Sequence, residues 1–428
     1  MILHKLIYLI GREIRNPRMK IFEKELQSTD FASLELLNEL QQKRLRSLLK
    51  HAKENSKFYK NRLAGIDIDN MLIETLKEIP VLSKDEFRNN VDSIQNYIPK
   101  EKFFRSSTSG SSGKSLTFDR SLDWDAAHRA VQIRGYSWFG IKPWMKNLYF
   151  WGYNPDIKKL LKIRFTDFLV NRYRVFSYDK SSTEKVKKYL KKCDYIEGYS
   201  SSIYSLAQKL EKENWKCSNI KMVKGTSEKI YDSYQLPIEN VFNQPMISEY
   251  GAAETGIIAF ECPHGSMHIA MENVIVEEID KKIIVTNLFS HTAPIIRYEL
   301  GDYVEFDYEK KCPCGRQHQI IKEVTGRIGD KVYGYEGEYP SLVMYYVFKN
   351  IAQKYSIDMS YYACQKEKGK LEVNVIYEAA DKDKVVGYIE HEKENFFQSD
   401  IDMKITFIKE IEQKDKKTQS FESLINKN

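Results

Sequence analysis

The run Ser106-Ser107-Thr108-Ser109-Gly110-Ser111-Ser112-Gly113-Lys114-Ser115 holds ten small, hydroxylated, glycine or lysine residues in a row. A packed core has no use for such a run, but a phosphate does. The two glycines let backbone N–H groups converge on an anion, the hydroxyls add donors, and Lys114 adds a positive charge. The mononucleotide-loop pattern G-x-x-x-x-G-K-[ST] is not met, because Gly113-Lys114-Ser115 would need a glycine where the chain has Thr108. A Walker-type NTPase is therefore disfavoured. Taken alone, the loop also reads as a flexible Ser/Gly linker.

A second constellation is built from soft ligands: Cys262-Pro263-His264-Gly265-Ser266-Met267-His268, and fifty residues later Cys312-Pro313-Cys314-Gly315. Two cysteines one residue apart and a distant Cys/His pair supply the four ligands of a closed tetrahedral zinc site. Such a site is structural, since four protein ligands leave no position for water. The competing reading is four unrelated side chains on strand turns. Cys193, Cys217 and Cys364 have no evident partners and read as buried hydrophobes.

Three further segments follow the Ser/Gly loop in a fixed order: Ser248-Glu249-Tyr250-Gly251-Ala252-Ala253-Glu254-Thr255-Gly256, Arg297-Tyr298-Glu299-Leu300-Gly301-Asp302, and Thr325-Gly326-Arg327-Ile328-Gly329-Asp330. With them the chain resembles the adenylate-forming superfamily of acyl-CoA synthetases, peptide-synthetase adenylation domains and luciferases. The stretch Glu39 to Leu63, followed by Ile79-Pro80-Val81-Leu82-Ser83-Lys84, resembles the phenylacetate–CoA ligase-like branch and especially its capsular-polysaccharide (CapK-like) members. The likeness runs from about residue 35 to the end.

That resemblance implies an AMP-forming acid ligase. Such an enzyme activates a carboxylic acid with ATP as an acyl-adenylate, releases pyrophosphate, and transfers the acyl group to an acceptor. By the same resemblance Thr108, Ser109, Gly110, Ser111, Ser112, Gly113 and Lys114 cradle the β- and γ-phosphates, and Glu254 holds Mg²⁺ through a hard oxygen. Tyr250 stacks on adenine beside Gly251, with Ser227 and Glu228 on a second adenine-side loop. Asp302 accepts from the ribose hydroxyls, Arg327 contacts ribose or phosphate, and Asp330 is a pivot. Tyr199, Ser200 and Tyr250 face the acid. Trp124, His128, Tyr136, Trp138, Trp151 and Tyr153 are further candidates for its pocket, although a Trp or Tyr there is more often core. The resemblance favours His268 over His264 as the zinc ligand beside Cys262, Cys312 and Cys314.

The family's last catalytic element is a lysine after glycine near the carboxy terminus. Spacing to Phe421 selects Lys417, but Lys416 replaces the glycine, so Lys414 and Lys416 compete for the role. The acceptor is coenzyme A in the phenylacetate branch; in capsule-associated members a sugar amine or hydroxyl, or a carrier, is the alternative. Two rival functions stay open: a direct amide-forming ligase on a nucleotide sugar or amino acid, and a nucleotide-binding scaffold that no longer turns over. A homodimer is compatible with either.

Composition frames these readings. At 428 residues, 42% apolar and 13% aromatic, the chain is long enough for two unequal globular domains. The net charge of +7 is interspersed and offers no basic stripe for nucleic acid. No apolar run is long enough to span a membrane. Six cysteines in this length suit a reducing cytoplasm rather than a disulfide scaffold. Residues 1–20 carry an apolar start followed by Arg12, Arg15, Arg18 and Lys20. They read as an ordinary packed helix, with peripheral membrane contact as the alternative.

The elements that must position the chemistry follow from periodicity. Two helices are expected across Phe31 to Leu63, and a strand, the Ser/Gly turn and a helix from Leu122 follow Lys102. Strands at Lys146 to Trp151, Tyr195 to Tyr199 and Met222 to Val223 alternate with helices, and β-branched runs fill Met267 to Glu305. The fold class is therefore α/β. The resemblance implies a large amino-terminal domain of layered sheets and helices over 1–329, carrying the ATP, acid and zinc sites, and a small mobile α+β domain over 330–428 with its hinge at Gly329-Asp330.

Overall fold

The computed structural model describes residues 2–96, 102–108, 116–150, 157–175, 183–226, 230–327, 331–355, 357, 359–377, 381–409 and 421–425. The chain forms two compact units. One comprises Met1–Ile230, Pro237–Leu300 and Val304–Val324, and the other Tyr231–Leu236, Gly301–Tyr303 and Thr325–Asn428. The division expected at 329/330 falls outside the described residues.

The first unit opens with helices α1 (Ile2–Arg15), α2 (Met19–Thr29), α3 (Leu34–Asn55), α4 (Lys57–Arg62), α5 (Lys84–Asn89) and α6 (Val91–Ile94). α3 forms because Leu37, Gln41, Leu45, Leu48, Leu49 and Ala52 recur at helical spacing and bury one stripe. The Ser33 hydroxyl caps its first turn by accepting from the Leu36 N–H at 3.2 Å, and Ser56 does the same for α4 through Tyr59 at 3.3 Å. This stripe joins Tyr59, Leu82, Phe87, Phe118, Trp124 and Tyr298 in one core.

The hairpin β1 (Phe103–Thr108) and β2 (Leu116–Ser121) follows, its last pair being Thr108 with Leu116. Ser106, Ser107 and Thr108, which open the Ser/Gly run, are thus paired in β1, and Leu116 onward forms a second strand where the sequence suggests a turn leading to a helix; Ser109 to Ser115 lie outside the described residues. Then come α7 (Leu122–Ser137), β3 (Asn147–Phe150), α8 (Ile157–Leu169), β4 (Arg172–Val175), α9 (Thr183–Leu190), β5 (Tyr195–Tyr199), α10 (Ser200–Lys212), β6 (Met222–Thr226), α11 (Asp232–Phe242) and β7 (Met246–Ala252). Strands β4, β3, β5, β6 and β7 lie side by side in that order, all parallel.

The strand order reverses between β3 and β5, so their carboxyl ends form the crevice where open α/β sheets bind ligands. At that point Gly198 has φ +139°, and a Cβ there would lie 2.1 Å from the Phe150 carbonyl oxygen, so only glycine fits.

β7 is the seam of the sheet. It is parallel to β6 but antiparallel to β8 (Gly256–Glu261), and the sheet continues through β9 (Met267–Ile269), β10 (Val274–Ile279), β11 (Lys282–Asn287), β12 (Tyr298–Asp307) and β13 (Ile320–Arg327). The second unit holds a short β14 (Lys331–Tyr333) and β15 (Glu338–Pro340) pair. It also holds α12 (Leu342–Tyr355), β16 (Ser360–Glu367), β17 (Lys370–Ile376), α13 (Lys382–Phe397), β18 (Asp402–Ile408) and β19 (Phe421–Ser423). Its four-stranded sheet, ordered β18-β17-β16-β19, packs Val373, Val375 and Ala363 with Val347, Ile351 and Ile389 of the two helices.

Candidate active site and metal centre

Glu254 sits in the turn joining β7 to β8 and is 4% exposed. The hairpin is tight. A bulge separates Tyr250 from Gly251, and a Cβ on Gly251 would lie 2.3 Å from the Gly256 carbonyl oxygen, so the glycine is required by backbone approach. His128 of α7 steadies the turn from behind, its Nδ1 accepting from the Ile257 N–H at 3.1 Å. Burial pushes this imidazole down to about 3, which keeps it neutral and able to accept. His128, partly exposed on α7, is thus a support of the hairpin.

Two residues the sequence reading had not assigned converge on the Glu254 carboxylate. The Tyr298 hydroxyl donates to Oε1 at 3.3 Å, and Lys84 Nζ lies 3.9 Å from the same oxygen. Both are brought there by one junction. Leu82 bridges to Tyr298, with the Leu82 N–H on the Arg297 carbonyl at 2.8 Å and the Glu299 N–H on the Leu82 carbonyl at 2.9 Å. Arg297 is held in a left-handed conformation, φ +50°, and its guanidinium forms a two-pronged pair with Glu277 at 3.0 Å on each prong. Arg297 thus locks the junction and Tyr298 reaches the carboxylate. The signal in the sequence was the phrase Ile79 to Lys84, which marks a resemblance but does not say what it touches.

Tyr298→Phe removes one hydrogen bond to a charged acceptor. Its expected effect is a roughly 10-fold loss in ATP–pyrophosphate exchange with a melting temperature close to that of the parent. Exchange at the parental rate across a magnesium titration shows that Tyr298 does not position Glu254.

The other nucleotide-side residues are distributed as follows. Tyr250 is half-buried on β7, Asp302 is buried on β12, and Gly301 beside it has φ +87°. Thr108 ends β1 and Arg327 ends β13. Ser109, Gly110, Ser111, Ser112, Gly113, Lys114, Ser227, Glu228, Asp330 and Lys417 lie outside the described residues.

On the acid side, Tyr199 is half-buried at the carboxyl end of β5, and Ser200, fully buried, opens α10. The stretch Ile196 to Ser202 is the end of strand β5 running straight into helix α10. Glu197 within it is committed to the sheet interior, accepting from Asn147 at 3.1 Å and Arg172 at 3.1 Å, with Lys224 3.6 Å away. Burial alone would raise this carboxyl, but Lys224 and Arg172 overcome it and hold it below the usual range. Trp124 and Tyr136 are core, Trp138 packs on the cysteine cluster, and Trp151 and Tyr153 lie outside the described residues.

The soft ligands do come together. Ligand atoms of Cys262, His268, Cys312 and Cys314 all lie within 4.8 Å of one another. Cys262 Sγ is 3.6 Å from Cys312 Sγ, and Cys314 Sγ is 3.2 Å from His268 Nε2. A tetrahedral zinc with Zn–S about 2.3 Å and Zn–N about 2.0 Å sets neighbouring ligand atoms roughly 3.5 to 3.8 Å apart, so the donor set fits that ion.

Two turns present the thiols. In one the Gly265 N–H bonds the Cys262 carbonyl at 2.9 Å, and in the other the Gly315 N–H bonds the Cys312 carbonyl at 3.1 Å. His268 Nδ1 faces the His318 carbonyl at 3.3 Å, which aims Nε2 at Cys314, while His264 is exposed and outside the cluster. Burial pushes the His268 imidazole down to about 4 and the Cys262 thiol up to about 12. The histidine is neutral, as a metal requires, and a metal must displace the Cys262 proton.

Behind the cluster, Glu272 accepts from Arg134 at 2.5 Å, Thr29 at 2.6 Å and His318 at 3.0 Å. Burial alone would raise its carboxyl, yet Arg134 and His318 hold it far below the carboxylate range. This network fixes the segment carrying the His318 carbonyl.

The sheet has a parallel half and an antiparallel half joined at β7, and the chain has the fold of the adenylate-forming ligases. It superposes on 2-hydroxyisobutyryl-CoA ligase in the postadenylation state, in complex with 2-HIB-AMP, with a TM-score of 0.69 over 95% of this chain and 91% of that one, at 15% identity. An open conformation of the same ligase in complex with 2-HIB-AMP and CoA gives 0.61 over 92% and 93%, also at 15% identity. In sequence the chain is similar to the protein CapK of Staphylococcus aureus, 28% identical over 327 residues, which is 69% of this chain and 68% of that protein. No protein-family model matches the chain. Among the described residues no helix is long and apolar enough to cross a membrane.

Proposed function

We propose that the protein is an AMP-forming ligase that activates a small carboxylic acid and passes it to coenzyme A or to a sugar amine, sugar hydroxyl or carrier in capsule or cell-surface polysaccharide assembly. In the first half-reaction a carboxylate oxygen bonds to the α-phosphorus of ATP as the bond to the β-phosphate oxygen breaks, giving acyl-adenylate and pyrophosphate. In the second, the acceptor's sulfur, nitrogen or oxygen attacks the acyl carbonyl and AMP leaves. The observation that carries this reading is Glu254, an acid kept nearly out of water at the seam of the sheet by a tyrosine from the Arg297–Asp302 motif. The fold shared with an acyl-CoA ligase and the similarity to CapK support it.

In this reading the residues divide the work. Thr108 through Lys114 hold the β- and γ-phosphates, Tyr250 and Gly251 with Ser227 and Glu228 take the adenine, Asp302 takes the ribose, and Arg327 takes ribose or phosphate. Tyr199 and Ser200 face the acid at the β3/β5 crevice, where Gly198 lets β5 lie close against Phe150 of β3. Glu254 holds Mg²⁺, which when bound neutralises charge on the phosphates. Zinc, held by Cys262, His268, Cys312 and Cys314, ties the β8–β9 turn to the segment before β13 and takes no part in the chemistry. Residues 330–428 act as the mobile domain with Asp330 as pivot, and the proposed location is the cytoplasm, where ATP is available.

ATP–pyrophosphate exchange over a panel of aryl, fatty, hydroxy and amino acids tests the proposal, because exchange reports adenylation whatever the acceptor is. Exchange with none of them makes the protein a nucleotide-binding scaffold. Lys417 is assigned to the transition state of the first half-reaction, where charge builds on the carboxylate and α-phosphate. The Lys414→Ala/Lys416→Ala/Lys417→Ala variant is therefore expected to lose roughly 10²-fold in adenylation. It should still transfer the acyl group from supplied acyl-adenylate. Normal exchange by this variant removes the lysine assignment.

A further inference from the structure

The first helix of the chain is inside out. An amphipathic helix on a water-soluble surface turns its apolar stripe inward, but α1 turns Ile2, Leu3, Leu6, Ile10 and Ile14 outward, with Ile2 79% and Ile14 76% exposed. Its polar stripe faces the protein instead. Arg12 pairs with Glu23 at 2.9 Å, Tyr8 packs on Trp144 with ring centres 5.7 Å apart, and Arg15 pairs with Asp125 at 3.1 Å. These contacts determine which way the helix is rotated.

A second helix of the same unit repeats the pattern beside it. Leu161, Phe165 and Phe168 of α8 are spaced four and three residues apart and are exposed, Leu161 at 68% and Phe165 at 64%. The His4 ring meets Phe168 edge-on at 5.7 Å, so the two apolar stripes adjoin. The one acid of α8, Asp167, is turned inward onto Arg174 at 3.0 Å.

The charge around this surface is predominantly positive, with Glu13 the acid at the groove. Residues 2–20 contain five basic residues to one acid, and residues 157–170 four to one, a balance equal to the whole chain's +7. Lys20, Arg15 and Lys162 are exposed. Between the α1 stripe and Lys20 runs an open groove of ≈ 600 Å³, floored by Leu9, Ile10 and Ile14.

We infer that α1 and α8 together form a docking surface for an anionic lipid bilayer. The exposed aliphatic and aromatic side chains enter the headgroup boundary, and the flanking lysines and arginines, whose stems are long enough to reach back to the surface, meet lipid phosphates. A second copy of this chain is the poorer occupant, because two faces of like positive charge repel. Apolar area and basic charge are the two signals that together make peripheral binding stable where either alone is marginal.

Co-sedimentation of the full chain with vesicles tests this. The protein is expected to pellet with phosphatidylcholine vesicles containing phosphatidylglycerol and to stay in solution with phosphatidylcholine alone, with high salt weakening the binding. The Leu6→Ser/Ile10→Ser/Phe165→Ser variant is expected to bind anionic vesicles roughly 10-fold or more weakly. Its ATP–pyrophosphate exchange and melting temperature should match the parent, since these side chains are exposed and remote from the assigned machinery. Lys20→Glu/Lys162→Glu provides an independent variant, expected to lose the preference for anionic lipid. The inference is overturned by absence of the parent from anionic-vesicle pellets, or by serine-variant binding equal to the parent's. A parent dimer in solution that the serine variant dissociates overturns it too, since a second copy would then be the occupant.

Discussion

Glu254→Ala is expected to lower ATP–pyrophosphate exchange by roughly 10²-fold or more, the scale on which a preorganised electrostatic contact acts. The side chain is 4% exposed, and its Oε1 faces the Tyr298 hydroxyl at 3.3 Å and Lys84 at 3.9 Å. A carboxylate so placed has little mobility to lose when a cation arrives, so its interaction is available without reorganisation.

Glu254→Gln separates charge from shape. The amide oxygen still accepts from Tyr298, while the negative charge is gone. If Glu254 acts by holding a cation, Gln fails about as badly as Ala; if it only anchors Tyr298, Gln restores exchange. Because Lys84 remains partly solvated, neither variant should unfold the unit, and a melting curve checks that. Near-parental exchange in the alanine variant would end the assignment of this turn to the nucleotide site.

Cys312→Ser is expected to produce the largest change in stability, a fall in melting temperature of roughly 10 °C or more together with loss of one zinc per chain. Structural zinc contributes on the order of 10 kcal/mol to local folding in small modules, and several kcal/mol suffice for that shift in a unit of this size. The reason is topological. Cys262 follows β8, His268 lies on β9, and Cys312 and Cys314 precede β13, so a shared ion ties together three segments, of which the one before β13 meets β9 through the two-residue pairing of Ile320 and Ile321 with His268 and Met267.

The ligand chemistry adds a pH dependence of definite sign. Burial holds the Cys262 thiol proton up to about 12, and the metal must displace it, so zinc affinity rises with pH and is lost as pH falls. Metal analysis of protein purified without chelator, with and without Cys312→Ser, checks both claims. A parent free of zinc refutes the site.

Local chemistry was legible in the linear chain wherever a residue's role follows from its own type and near neighbours. The composition of the Ser/Gly run reads as a loop, whereas its first three residues, Ser106 to Thr108, are paired in β1 and the rest lies outside the described residues. Alternation identified the strand Tyr195–Tyr199, and helical spacing identified the two helices that became α3 and α4. The order of the motifs carried the resemblance, and the fold agrees with it.

What period and spacing do not encode is the identity of a partner across the fold. Tyr298 reaches Glu254 over 44 residues of sequence, and Lys84 arrives from the start of α5, because Leu82 pairs with Tyr298 and Arg297 locks the junction. The strand Tyr195–Tyr199 was legible, but not that its Glu197 would meet Lys224 of the neighbouring β6 and Arg172 of β4, one strand beyond β3.

Helix α1 makes the point most sharply. Its sequence determined an amphipathic helix and the spacing of its apolar stripe, and nothing in that pattern says which stripe faces solvent. The ion pairs of Arg12 with Glu23 and Arg15 with Asp125 set its rotation, and they exist only once α2 and α7 are packed beside it. A helix's own residues determine its faces; the elements around it determine where those faces point, because burial is a property of pairs of surfaces and not of one.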